Sequence, residues 1–383
     1  MFEIPQYSLS SQETLWFLLL ATVLLALTRI IKPFNRKLET NQQNEKLPKD
    51  DEIEPLWDFD FRKEDPIKYQ PYKTQGHVTM GIQKRVRSDW IRMDRGYLSR
   101  IEERLPLIRN KAEFTIGTGE VVNPAIEELY EEIMIRYLPA RFPTMFKTQG
   151  GKLVKNLATG TTYPLTTTGL THAQMLAYMG ENVEASIDTS SVYPATTSSI
   201  EDFYFMCPDP NGDYRLQGYI ACFPGGFLSP ARVGESVREI HKPVPGYERK
   251  LGLSVDRYFA RMKPGDFIGR MNWSLQVDGA DLFRTDGNNY YPGTDQVVSD
   301  YKEDPSLDES FLRVEHQTLT KLPRSGAVIF TVRSYMTPLH QVKAEGDGKA
   351  LAQAIESMPQ GLGHYKMVQY WGRKVLPWLM EDV

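Results

Sequence analysis

Apolar residues recur at helical spacing in four segments of the chain. In the clearest one, Asn123-Pro124 supplies an N-cap and a first-turn proline before a periodic apolar face. That face consists of Ile126, Leu129, Tyr130, Ile133 and Tyr137. The pattern predicts a helix that starts at Asn123 and ends before Pro139. Shorter helices are predicted over 171–179, 230–240 and 251–262.

Alternating apolar and polar residues predict strands in the second half of the chain, over 214–223, 267–277, 311–322 and 327–336. Pro323-Arg324-Ser325-Gly326 has the composition of a turn, so the last two strands form an antiparallel hairpin. Helices that precede and separate antiparallel strands are typical of an α+β fold. We therefore predict one α+β domain over 57–383.

The strands place hydrogen-bonding side chains in stripes. Arg270 and Asn272 share one face of their strand, and Arg313, Glu315 and Gln317 share one face of the next. Arg333 lies on the strand after that. One interpretation is the solvated face of a half-covered sheet. The other is a polar pocket, because guanidinium and amide groups suit the recognition of carboxylates.

The N-terminal region differs from the rest. Residues 15–28 carry no charge, and Arg29 can snorkel to the headgroups, so 1–34 is predicted to be a single-pass membrane helix. Basic residues follow this segment and none precedes it. The globular part is therefore predicted to face the cytosol, with the endoplasmic reticulum as one candidate membrane. A cleaved signal or a buried helix is the alternative. Residues 35–56 are polar and are predicted to form a linker.

Composition excludes several classes of protein. A net charge of −4 over 383 residues leaves no basic footprint, so no nucleic-acid partner is expected. Two cysteines are too few for an iron–sulfur cluster or a structural zinc site. The six histidines lack the close spacing of a multi-histidine metal site. If a metal is bound, a single histidine that carries a prosthetic group fits better.

One histidine stands in an unusual context. His241 ends a predicted helix in Ile240-His241-Lys242-Pro243-Val244-Pro245-Gly246-Tyr247. A histidine at a helix C-terminus is favoured by the helix dipole alone, which is the simplest explanation. The two prolines also fix their φ angles and stiffen the backbone around the imidazole. An axial ligand to a haem iron needs such rigidity.

Four ordered blocks resemble a known family: "YRLQGYIACFPGGF" (214–227), "IHKPVPGYERKLGLSVDRYFARMKPG" (240–265), "RMNWSLQ" (270–276) and "LRVEHQTLTKLPRSGAVIFTVRSYMTPL" (312–339). They are similar to the haem-dependent oxidative N-demethylase alpha-subunit-like family, whose bacterial members include dimethylamine monooxygenase subunits. The similarity extends from Trp57 to the C-terminus and is strongest over 200–340.

The resemblance implies a PAS-like haem-binding sheet flanked by helices, with His241 as the iron ligand. It implies oxidative removal of a methyl group from a small amine with O2. It further suggests Arg270, Arg313 and Arg333 as partners of the haem propionates and Glu315 as the group that attracts an ammonium substrate. Asn272 or Gln317 would then bond bound oxygen. Bacterial members are expected to carry arginine where His316 stands here, so the resemblance does not define the substrate or the reaction of this chain.

The electrons for such a reaction must come from a separate reductase, because the chain has neither the cysteines for an iron–sulfur cluster nor a nucleotide-binding fingerprint. Two other functions stay open. The same pocket without electron delivery would be a non-catalytic haem or gas sensor. A chain that has lost the cofactor would be a membrane-tethered scaffold.

Overall fold

The computed structural model describes residues 52–67, 80–119, 121–182, 197–226, 230–285, 288–290 and 305–382. By its contacts the chain divides into two units, Met1–Pro48 and Lys49–Val383, and every described residue belongs to the second. No helix in the described ranges has both the length and the apolar character to cross a bilayer. The anchor predicted over 1–34 and most of the linker predicted over 35–56 lie outside the described residues.

Ten strands form two antiparallel sheets. They are β1 (Gln83–Lys84), β2 (Ile116–Thr118), β3 (Phe146–Gln149), β4 (Leu153–Asn156), β5 (Thr162–Pro164), β6 (Thr197–Pro208), β7 (Tyr214–Ile220), β8 (Phe267–Gln276), β9 (Phe311–Lys321) and β10 (Val328–Pro338). The main sheet has the order β1-β8-β9-β10-β6-β7-β2, and β3, β4 and β5 form a small separate sheet. The predicted α+β class and the predicted β9–β10 hairpin are confirmed.

Eleven α-helices are described. They are α1 (Tyr97–Asn110), α2 (Ala112–Thr115), α3 (Asn123–Tyr130), α4 (Leu138–Arg141), α5 (His172–Asn182), α6 (Val237–His241), α7 (Leu253–Arg261), α8 (Leu339–Ala344), α9 (Gly348–Glu356), α10 (Gln360–Tyr365) and α11 (Val368–Met380). Two π-helical segments, Glu131–Tyr137 and Glu248–Gly252, lead into α4 and α7.

Two predicted helices differ from the observed ones. The helix that begins at Asn123 continues past Pro139, because this proline falls in the first turn of α4, where a missing N–H removes no helical hydrogen bond. The helix predicted over 230–240 is split into a 3₁₀ turn, Pro230–Arg232, and α6. Gly234 lies between the two pieces with a φ of 97°, which a helix does not accommodate.

The register of β8 and β9 determines which side chains share a face. Arg270 lies opposite Gln317, and Asn272 lies opposite Glu315. We call the face that carries these four residues the Glu315 face. The other is the His316 face, on which Arg333 of β10 lies opposite His316.

Three apolar cores cover the two faces. Near the Ile268–Leu319 end, the Glu315 face packs under α6, Tyr247 and α7. The His316 face packs at one end against the helices of the N-terminal half, through Phe205, Ile329 and their neighbours. At its other end it packs against α8, α9 and α11. The part of the Glu315 face beyond the first core is polar, and the candidate site lies there.

Candidate functional site

His241 is the last residue of α6. The helix begins with a capping box in which Ser236 and Glu239 bond each other's backbone N–H groups, which fixes its first turn. Nδ1 of His241 lies 2.8 Å from the carbonyl oxygen of Val237, so the ring donates its Nδ1 hydrogen there and presents a lone pair at Nε2. The ring also stacks on Tyr247, with centroids 4.6 Å apart and planes 13° apart.

The electrostatic surroundings keep this imidazole neutral. Burial lowers the pKa of His241, the bond to Val237 opposes that shift, and the positive charges of Arg270 and Arg232 add to it. A neutral imidazole with its Nδ1 hydrogen committed to a backbone carbonyl is the form in which histidine ligates a metal through Nε2.

Glu315 is the centre of a hydrogen-bonded group on the middle strands of the sheet. Its Oε2 accepts from Asn272 Nδ2 at 3.2 Å and from Gln317 Nε2 at 2.9 Å. The carboxylate side chain is only partly buried, although its neighbours Val314 and His316 are buried. Of the three side chains predicted to be catalytic, Asn272 and Gln317 therefore both bind the partly exposed carboxylate of Glu315.

The loop after β7 closes one side of this group. A β-carbon built at Gly225 would lie 2.5 Å from Glu315 Oε1 and 3.5 Å from Arg313 Nε. The backbone therefore passes so close to the carboxylate that only glycine fits without a shift of Glu315.

Arg270 interacts electrostatically with both His241 and Glu315. Its Nε is buried and has no hydrogen-bond partner in the described part of the chain. Burial lowers the pKa of Arg270, while the negative charge of Glu315 raises it. A buried guanidinium with an unused donor is suited to a bound carboxylate.

Lys366, which follows α10, was missed by sequence reasoning. Its ammonium group donates to the carbonyl of Trp273 and lies 3.5 Å from Asn272 Oδ1. Burial lowers its pKa to about 8, opposed by the charge of Glu315 and assisted by that of Arg270. Met367, the next residue, has a φ of 65°, which turns the chain directly after the lysine. No spacing or motif in the sequence marks Lys366, because tertiary packing alone brings it to β8.

Arg313 is on the Glu315 face but is already fully engaged at its two terminal nitrogens. It is completely buried and donates to the carbonyls of Phe223 and Leu282 and to the side chains of Gln276 and Ser334. Burial lowers its pKa, with Glu315 and Asp202 opposing the shift. These bonds tie the loop after β7 to β9, so the contacts of Arg313 position the backbone at Gly225.

Arg333 is not brought together with the other predicted residues. It lies on the His316 face, where Nε is 3.2 Å from Glu201 Oε1 and NH2 donates to the carbonyl of Arg92. His316 shares this environment. Burial and the positive charges of Arg333, Arg85 and Arg92 lower its pKa to about 3, so the ring is neutral at physiological pH.

No group of three or more histidine, cysteine, aspartate or glutamate side chains in the described ranges is arranged to hold a bare metal ion. The two cysteines, Cys207 and Cys222, are buried and unpaired with each other. The donor set of the site is thus one imidazole, one carboxylate with its amide partners and two cations. Such a set can ligate a metal carried by a prosthetic group and bind the carboxylates of that group.

Most of the chain matches a known family. The family model described as haem-dependent oxidative N-demethylase, alpha subunit-like, matches residues 81–376. The matched region includes His241, Arg270, Asn272, Glu315, Gln317 and Lys366.

Proposed function

The chain belongs to the haem-dependent oxidative N-demethylase alpha-subunit-like family, and from that premise we propose that it is a haem-dependent monooxygenase that removes a methyl group from a small amine. The proposal includes a PAS-type architecture, which is supported by an antiparallel sheet with helices on both faces. We further propose that His241 is the iron ligand. The observation that carries it is the neutral imidazole of His241, fixed through Nδ1 to Val237 at 2.8 Å.

The residues of the site fit a haem in two further respects. The buried, unused Nε of Arg270 supplies a donor for a propionate. Tyr247 stacks on the imidazole and fixes the plane of the ring. We therefore assign Arg270 to the propionates. Arg313 and Arg333 were predicted for the same role, and each also has a buried guanidinium nitrogen without a hydrogen-bond partner in the described ranges. Their other guanidinium nitrogens already bind protein partners, however, and Arg333 is on the other face of the sheet.

The proposed reaction needs two reducing equivalents. One amine N-methyl group, O2, two electrons and two protons give the demethylated amine, formaldehyde and water. Bound at His241, the haem would supply the iron at which O2 is activated. The electrons would come from a separate reductase, since both cysteines are buried and neither neighbours a metal-binding cluster in the described part of the chain.

The side chains around Glu315 would bind and orient the amine. The carboxylate would accept a hydrogen bond from the substrate N–H, and Asn272 and Gln317 would hold the carboxylate through Oε2, which leaves Oε1 for the amine. Lys366, with its pKa near 8, would lie close to this hydrogen-bond network and could exchange a proton with it near neutral pH.

We also propose that residues 1–34 anchor the protein in a membrane with the globular part in the cytosol. The support is the uncharged segment 15–28 and the basic residues Arg29, Lys32, Arg36 and Lys37 that follow it. A cytosolic position would give membrane-bound reductases access to the protein.

The test compares absorption spectra of the full-length chain with haem, before and after His241→Ala. We expect a Soret band in the wild type that shifts or disappears in the variant. The matched control is His172→Ala, which removes a partly exposed imidazole that binds Glu127 at 3.0 Å. A spectrum that His241→Ala leaves unchanged would remove His241 as ligand. No specific uptake of haem by the wild type would overturn the proposal.

Turnover then separates an enzyme from a haem or gas sensor. The haem-loaded protein is supplied with dimethylamine, NADH and a flavin-dependent reductase, and formaldehyde is measured. Formaldehyde in a ratio of one per NADH consumed supports the demethylase. Haem binding without any amine-dependent formaldehyde favours the sensor.

A further inference from the structure

The segment from Arg249 to Lys263 carries a concentration of unpaired positive charge. Arg249, Lys250, Arg257, Arg261 and Lys263 are all exposed. None of these five side chains has an ion pair or hydrogen bond to another side chain in the described ranges. Elsewhere in the same ranges many arginines bind carboxylates, among them Arg87, Arg215, Arg232 and Arg284.

The acidic residues of this segment do not neutralise it. Glu248 and Asp256 both bind Arg238, which lies on α6. Asp266 accepts a hydrogen bond from the backbone of Lys263 at 2.7 Å. Arg249, Leu253, Arg257 and Arg261 follow one another at intervals of four, so one side of α7 and the preceding π-helical turn presents three arginines and one leucine.

A cavity of about 420 Å³ opens on this same side. Arg257 and Arg261 line it together with Ser254, Tyr258 and Asp266, whose carboxylate is engaged by the backbone N–H of Lys263, and Met262 forms a buried apolar wall. Two guanidinium groups and a hydroxyl are the donors that bind phosphate oxygens. Leu253, one turn away on the same side, is 61% exposed, which is unusual for a large apolar residue next to four cations.

We propose that this cationic side of α7, defined by Arg249, Lys250, Leu253, Arg257 and Arg261, docks on an anionic membrane surface. The cavity takes a phospholipid headgroup, and Leu253 enters the interfacial layer. An apolar residue between basic ones is the arrangement of interfacial helices, in which the apolar side chain inserts and the cations bind anionic lipids. A free phosphate would gain nothing from Leu253 or from the apolar wall of Met262.

The test uses the full-length chain in phosphatidylcholine vesicles, with or without about one third phosphatidylserine. Because the N-terminal segment can hold the chain on any vesicle, the readout is local. An environment-sensitive dye is attached through Leu253→Cys. The native cysteines, Cys207 and Cys222, are buried and do not compete for the dye. A dye attached through Leu157→Cys, a position that is 43% exposed in the native protein, is the control.

We expect the emission at position 253 to shift to the blue only with phosphatidylserine, and the emission at position 157 to stay unchanged. Arg257→Ala with Arg261→Ala should lower the ratio of shifted to unshifted emission at least tenfold, since each basic residue near a membrane contributes roughly a factor of five to binding. Lys147→Ala with Lys152→Ala removes the same charge from two exposed lysines near the small sheet and should leave the ratio within about twofold.

Four results would overturn the proposal. An emission shift that does not depend on phosphatidylserine excludes headgroup recognition. If the two double variants lose the emission shift at position 253 to the same extent, net charge alone is responsible for membrane binding. A shift abolished by millimolar inorganic phosphate at constant ionic strength identifies a site for free phosphate. If position 253 responds to an acidic protein and not to vesicles, the surface binds proteins instead.

Discussion

The exposure of one carboxylate distinguishes the Glu315 face from an ordinary core. Glu315 occupies the middle of β9, which has strands on both sides, yet it remains partly accessible. Its two amide partners, Asn272 and Gln317, both bind Oε2. Gly225 leaves room for Oε1 by having no side chain. Oε2 is thus held by two amides, while Oε1 lies against the backbone at Gly225, where an added side chain would displace it.

Gly225→Ala tests this arrangement without removing any functional group. The new methyl would meet Glu315 Oε1 at 2.5 Å, and the flexible carboxylate must rotate away. We expect stability to change by no more than about 1 kcal/mol, because a side-chain terminus moves more easily than backbone. Amine affinity, measured from the amine-induced change in the haem spectrum, should fall about tenfold.

Gly363→Ala is the matched control, since its added methyl would contact only Val368 at 3.8 Å. Equal amine affinity in the wild type and Gly225→Ala would show that the carboxylate does not bind the substrate. A large loss of stability in Gly225→Ala alone would mean that Gly225 has a structural role instead.

Single residues also show where sequence reasoning succeeded and failed. Strand alternation predicted that Asn272 shares a face with Arg270 and that Glu315 shares a face with Gln317, because a period of two fixes the face of every side chain on a strand. The contact of Asn272 with Glu315 also depends on the register of β8 and β9, which the structure supplies. The position of Arg333 could have been predicted as well. A hairpin that pairs Leu322 with Ala327 sets Arg333 opposite His316, and the structure has that pairing. The position of Lys366 could not have been predicted, since its contact with β8 depends on the packing of α10.

At the scale of elements, the connector between α6 and the next helical turn holds the proposed ligand. It contains Pro243 and Pro245, and Gly246 turns the chain with a φ of 75°. A β-carbon built at Gly361 of α10 would lie 3.3 Å from Cβ of Pro245, so the connector and α10 are in close contact. The element that carries His241 and the element that leads to Lys366 therefore support each other.

Pro243→Ala with Pro245→Ala should loosen this connector. The imidazole keeps its bond to Val237 within α6, but the unfolded and locally open states gain backbone freedom, at about 0.4–1 kcal/mol for each proline. We expect haem to dissociate roughly threefold to tenfold faster, measured by transfer to apomyoglobin. The far-ultraviolet circular dichroism should be unchanged.

Pro264→Ala, at an exposed turn after α7, is the control for losing a proline away from the ligand. Identical haem dissociation from the double variant and the wild type would show that the prolines do not restrain the ligand. The sequence predicted this stiffness directly from the two prolines, whereas the contact with α10 needed the structure.

Other elements were missed for a physical reason. Strand β6 has the apolar run Phe203-Tyr204-Phe205-Met206-Cys207, which shows no alternation because both of its faces are covered. A strand buried on both sides resembles a buried helix in sequence. The strand at 267–277 was predictable, since its polar and apolar faces differ.

At the scale of the whole molecule, the His316 face places charged groups between two apolar cores. Arg333 and Glu201 form an ion pair there, and burial raises the pKa of Glu201 while the charge of Arg333 opposes that shift. His316 lies next to them as a neutral ring. Because these groups are buried, their protonation is coupled to unfolding.

The contribution of His316 to the free energy of unfolding depends on pH. The pKa of His316 is about 3 in the folded protein, below the value of 6.5 for an unperturbed histidine. Between these two values the unfolded chain binds a proton that the folded protein excludes. The contribution of this residue is therefore fully present above pH 6.5 and is lost progressively as the pH falls toward 3.

His316→Gln should remove that dependence. Between pH 7 and pH 4.5 the wild type should lose about 2–3 kcal/mol more unfolding free energy than the variant, measured by urea denaturation. Other titrating groups are common to both proteins and cancel in the difference. Because the ring is buried among Arg333, Arg85 and Arg92, the difference should persist at high salt, where interactions of exposed charges are screened. Parallel loss of stability in the two proteins would show that His316 is accessible to protons in the folded state.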